Sequence, residues 1–131
     1  MTDVIERVRA IKDHPAVLMW AVGNEWNYNG LYVDLPLGDS VARLREVAML
    51  VAAADGEHPI ATVFGELPEA SLIEQMPEVD LWGINAYRGI GFGTLFSDWA
   101  ARSAKPMFLA EYGADAYNAN TDSYDPNSQE Q

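Results

Sequence analysis

Two apolar runs in this 131-residue chain each end in a glutamate. Ala16-Val17-Leu18-Met19-Trp20-Ala21-Val22 breaks at Gly23 and delivers Asn24, Glu25, Trp26, Asn27 and Tyr28. Lys105-Pro106-Met107-Phe108-Leu109-Ala110 leads in the same way to Glu111-Tyr112-Gly113. A continuous apolar run of strand length fits a central strand of a parallel sheet, buried on both faces. In such sheets and barrels, ligands gather beyond the carboxyl ends of the strands. Two carboxylates delivered there are what cleavage of a glycosidic bond needs: one acid/base, and one nucleophile or second base. Either glutamate alone reads more readily as a helix-start or solvated loop residue. The pairing carries the chemical reading.

The elements that must position them alternate along the chain. Val4, Ile5, Val8 and Ile11 share one face of an amphipathic helix over 3–13, which His14-Pro15 stops. His14 reads as a structural hydrogen-bonder. After the first strand, residues 26–39 form a long loop rich in Asn, Tyr and Gly, suited to binding or to capping a rim. Ser40 is placed to cap a helix that runs to Asp55-Gly56. Residues 59–64 form the next strand, closed by Gly65 and a third strand-end carboxylate, Glu66, which reads as a rim residue. A short helix over 69–76, a strand over 80–87 and a helix over 94–103 follow, the last with Leu95, Phe96 and Trp99 inward. Gly89-Ile-Gly-Phe-Gly93 lacks the spacing and the Lys-Ser/Thr of a phosphate loop. Strict alternation predicts a parallel sheet with right-handed crossovers.

Trp20-Ala-Val-Gly-Asn-Glu25 resembles the fourth-strand motif of the clan A glycoside hydrolases, and Phe108-Leu-Ala-Glu111-Tyr-Gly113 resembles their seventh-strand nucleophile motif. Asp80-Leu-Trp-Gly-Ile-Asn-Ala-Tyr87 is similar to their sixth strand, which carries a tyrosine near the nucleophile. Ile11-Lys-Asp-His14-Pro15-Ala-Val17 resembles the lead-in of the β-galactosidase/β-glucuronidase branch. The resemblance spans roughly residues 4–117 and implies the C-terminal half of a catalytic barrel. The expected fold is thus α/β, a partial TIM (β/α)8 barrel of about strands four to seven. Residues 1–117 would form it, and 118–131 a polar tail or the start of a loop. A whole barrel typically needs about 250 residues, so this length fits only part of one.

The resemblance implies a retaining glycosidase or transglycosidase acting on β-linked sugars, with Glu25 as acid/base and Glu111 as nucleophile. Asn24 would bind the 2-hydroxyl and Tyr87 would orient Glu111. By their aromatic and amide types alone, Trp26, Asn27 and Tyr28 after Glu25 are candidates to line the sugar site, although large aromatics are core residues by default. No metal or organic cofactor is implied. The alternative is a non-catalytic half-barrel that binds carbohydrate or self-associates, because an open sheet leaves edges that need a missing barrel half or a second copy. Formal net charge is −12, which argues against nucleic-acid or anionic-membrane partners. There are no cysteines, so disulfides and thiolate metal sites are excluded.

Overall fold

The protein is described by a computed structural model covering residues 2–114, 116–118 and 121–125. Its strands and helices alternate: α1 (Thr2–Ile11), β1 (Trp20–Asn24), α2 (Trp26–Asn29), α3 (Leu37–Ala54), β2 (Ile60–Gly65), α4 (Ala70–Glu74), β3 (Leu81–Ala86), α5 (Leu95–Arg102) and β4 (Met107–Tyr112). The four strands form one parallel sheet in the order β1-β2-β3-β4. This is the α/β architecture of a partial (β/α)8 barrel, four strands of the eight that close one. The expected polar tail lies largely outside the described residues. Within them, β5 (Tyr117–Asn118) pairs antiparallel with β6 (Ser123–Tyr124).

β2 and β3 are the buried centre of the sheet, and β1 and β4 are its edges. The expectation that the first apolar run is buried on both faces therefore fails. Its strand begins only at Trp20, whose N–H meets the carbonyl of Pro59 at 3.0 Å. Leu18 precedes the start of β2, has no strand beside it, and is 74% exposed. The core lies between the sheet and its helices, where Val41, Leu44, Ala48 and Val51 of α3 pack with Val22, Ile60, Trp82 and Ile84. Aromatic rings cross it in sequence: Trp26 to Phe64 at 5.0 Å, Phe64 to Trp82 at 6.0 Å, and Trp82 to Trp99 at 6.4 Å. Phe96, expected inward, is exposed.

Two boundaries differ from the sequence reading. α3 starts at Leu37 behind Pro36, so Ser40 is inside the helix and buried rather than its cap. The loop over 26–39 is largely ordered as α2 and a 3-10 turn at Gly30–Tyr32. Left-handed backbone at Leu31, Tyr32 and Asp34 folds this segment back on itself. Gly30 also turns left-handed, and a side chain there would meet the Leu35 backbone at 2.6 Å.

At the opposite end of the sheet, Asp55 is buried beneath the start of β2. Its carboxylate accepts the Trp20 indole N–H at 2.7 Å and the Glu57 N–H at 3.0 Å, with His58 Nδ1 at 2.7 Å. The Trp20 bond above all, then those from Glu57 and His58, holds this carboxyl well below the usual carboxylate range. A depressed folded value means stability present above the ordinary carboxylate pKa and lost as pH falls toward the folded value. Asp55→Asn should therefore lower the urea midpoint at pH 7 and flatten its decline below about pH 4. Urea unfolding of both proteins from pH 7 to pH 2.5 checks this.

Candidate active site

All four strands point the same way, so their carboxyl ends gather Asn24 and Glu25, Glu66, Asn85 to Tyr87, and Glu111 at one end of the sheet. Two irregularities aim the outer pair. Ala21 pairs with Ala61 and Asn24 with Val63, so β1 holds one extra residue against β2. Ile84 pairs with Leu109 and Asn85 with Glu111, so β4 holds one extra residue against β3. Such bulges re-aim side chains and favour the neighbourhood of active sites. The β2–β3 pair between them runs in unbroken register.

On β1, Gly23 supplies the left-handed turn, with φ +76°. Asn24 and Glu25 then leave the strand. Glu25 itself is left-handed, φ 48°, an uncommon state for a residue with a side chain, and the surroundings hold it there. Its N–H bonds Val63 O at 3.0 Å, while its carbonyl accepts Tyr28 N–H at 2.9 Å and Asn29 N–H at 3.1 Å. Asn29 Nδ2 binds the Asn24 carbonyl at 2.9 Å.

β3 joins the two carboxylates. Asn85 and Tyr87, two residues apart, share a face. Asn85 Nδ2 donates to Glu25 Oε1 at 3.0 Å and reaches Asn24 Oδ1 at 3.3 Å. The Tyr87 hydroxyl donates to Glu111 Oε2 at 2.7 Å. The exit of β4 is tied back through Gly89 N–H to Gly113 O at 3.0 Å. Beside them, Glu66 is committed elsewhere. Arg88 grips both its oxygens, and this pairing, above all the hydrogen bond, holds Glu66 below the usual carboxylate range. It is an ion-paired rim residue and no proton donor.

The structure separates the other predicted residues. Tyr28 is 68% exposed, with its ring against Gly65. Trp26 is a correction: it is 1% exposed, and its indole donates to Thr62 Oγ1 at 2.9 Å. The left-handed turn at Glu25 swings this ring into the core, where it offers no stacking face. Asn27 is also occupied, since its amide exchanges two 2.9 Å bonds with the Gly65 backbone and so extends the ladder beyond β1. Trp82 packs in the core as its mid-strand position suggests. His14 accepts the Ala16 N–H at 3.2 Å in a turn, a structural role. Asn85 was missed by sequence reasoning. Its signal is an amide inside the otherwise apolar Leu81–Ala86 strand, since a buried polar group requires partners.

Residues 1–130 match the family described as glycosyl hydrolases family 2, TIM barrel domain. The chain belongs to that family. A comparison with curated proteins returned no match. Membership in glycosyl hydrolase family 2 brings a glycosidase-type function, and the family-2 barrel accounts for the parallel strands that converge on Glu25 and Glu111. Among the described residues, no group of three or more His, Asp or Glu could hold a metal ion. A cavity of about 290 Å³ lined by Ile73, Pro77, Arg102 and Lys105 lies at the amino ends of β3 and β4, remote from both glutamates.

Proposed function

We propose that this chain carries the catalytic pair of a retaining, clan A glycoside hydrolase acting on β-linked sugars by double displacement. One observation carries the reading: Asn85 and Tyr87, on one face at the end of β3, reach Glu25 and Glu111 respectively. Glu111 attacks the anomeric carbon as Glu25 gives its proton to the departing oxygen. Glu25 then takes a proton from water or an acceptor sugar, whose oxygen displaces Glu111. Asn24 donates to the sugar 2-hydroxyl, a contact that strengthens in the transition state. Tyr28 presents a ring face to the sugar, whereas Trp26 and Asn27 support the site from behind. The mechanism requires carboxyl groups about 5–5.5 Å apart in the assembled site.

The open edges of β1 and β4 support a second element of the proposal. Further barrel strands or a second copy of the chain cover them. Concentration-dependent mass in solution identifies the second copy.

Tyr87→Phe removes one hydroxyl and leaves the ring. A hydrogen bond to a charged group is worth ~1.5–3 kcal/mol, so glycosylation should slow about 10- to 100-fold with little change in thermal midpoint. Pre-steady-state kinetics on a β-glycoside isolates that step.

The deciding experiment treats the full chain with 2-deoxy-2-fluoro-β-glycosyl fluorides of gluco, galacto, manno and glucurono configuration. Intact mass should rise by one fluorosugar, mapping to Glu111. A label on another residue refutes the nucleophile. No label, with sugar binding retained in calorimetry, favours the non-catalytic half-barrel.

A further inference from the structure

Asn85 is 3% exposed, and its amide NH2 is the donor facing both Asn24 and Glu25. Its own Oδ1 is buried with no hydrogen-bond partner. An unsatisfied buried oxygen is destabilising, so this orientation needs a compensating cause. The opposite orientation is worse. It would set Oδ1 against Glu25 Oε1 and Asn24 Oδ1 and remove the NH2 from which both oxygens accept.

The backbone gives Asn85 little latitude. It pairs with Gly65 on one side and Glu111 on the other, and its carbonyl accepts the Glu66 N–H at 3.0 Å. An NH2 group has two hydrogens, and here two acceptors. One hydrogen fixes the direction of the Glu25 carboxylate. The other draws in Asn24 Oδ1, which turns the exposed Asn24 NH2 outward as a donor.

We infer that Asn85 is a positioning residue that fixes both the Glu25 carboxylate and which end of the Asn24 amide faces the substrate. This rests on the reading of Glu25 as the proton donor. In consequence the site presents N–H, not C=O, to the sugar hydroxyl beside the reacting carbon. The ligand group recognised there is an oxygen acting as acceptor.

The test compares Asn85→Ala and Asn85→Asp with the unaltered full chain on two β-glycosides. One has a 2,4-dinitrophenyl leaving group, which departs without protonation, and the other an alkyl leaving group, which needs the acid. Loss of the Asn24 orientation should lower kcat/KM on both glycosides, and a displaced acid should cost about a further 100-fold on the alkyl glycoside alone. Asn85→Asp, nearly isosteric but lacking the donor, should be worse than Asn85→Ala. Equal losses on both substrates, or a better aspartate than alanine, would make Asn85 a packing residue and overturn the inference.

A second readout leaves Asn85 in place and needs no turnover. In 15N spectra of the full chain, the Asn85 side-chain NH2 should exchange slowly with water. Glu25→Ala should speed that exchange about tenfold or more, and Glu111→Ala should leave it unchanged. Exchange indifferent to Glu25→Ala overturns the inference whatever the activity. If neither glycoside is turned over, the enzymatic reading has failed and the exchange data alone decide the role of Asn85.

Discussion

Glu111→Ala should abolish formation of a covalent glycosyl-enzyme and lower turnover by at least about 10⁴-fold, the scale on which loss of a nucleophile acts. Folding should barely change. Glu111 is half-buried at the exit of an edge strand, and its carboxylate accepts the hydroxyl of a half-exposed tyrosine. The alanine leaves a hole the size of a carboxylate, which a small anion can fill. Azide added to this variant should restore turnover and yield a glycosyl azide of inverted configuration, because a single displacement replaces two. Azide added to Glu25→Ala should instead give the retained product, since there it intercepts an intermediate already formed on Glu111. The configuration of the azide product, read by NMR, separates the two roles. An inverted product from both variants would refute the assignment.

The largest loss of stability should come from a residue that sequence reasoning put in the sugar site. Trp26→Ala empties a fully packed indole position, a class of change that costs about 3–5 kcal/mol. It also orphans Thr62, whose hydroxyl accepts from Trp26 and donates to Val22 O at 2.6 Å. The damage should spread along the ring sequence through Phe64 to Trp82. Trp26→Phe, which keeps most of the volume and loses the N–H, should recover roughly half the loss. Both variants are measured by urea unfolding, with sugar affinity determined below the transition. A Trp26→Ala protein of unchanged stability and much weaker sugar binding would return Trp26 to the substrate site.

Much of the frame was legible in the residues. Apolar runs closed by Gly and Pro placed all four strands of the sheet, and alternation with amphipathic segments implied their parallel order. The two glutamates stood out because a carboxylate directly after an apolar run is conspicuous. What stayed hidden depends on backbone direction and on neighbours distant in sequence. Trp26 and Tyr28 read alike, yet the left-handed turn at Glu25 sends one ring into the core and leaves the other outside. Ser40 looked like a cap because no local pattern reveals that Pro36 already starts the helix. Asn85 acts across β2 on a residue 60 positions away, and no local spacing encodes that.

The extra residues in β1 and β4 carry a further consequence. A pleated strand works by parity: even steps keep a side chain on its face, and odd steps exchange faces. Counted from Val22, which packs with the helices, an unbroken β1 would return Asn24 to the helix side. Counted from Leu109, an unbroken β4 would do the same to Glu111. Each outer strand therefore breaks the even count once, immediately before its site residues, while the inner strands keep it. The site is a pair of matched odd steps in an otherwise even lattice. Straightening either step with all its residues kept would turn Asn24 or Glu111 into the hydrocarbon core, whereas adding a residue in the rim segment before α3 would leave both counts untouched.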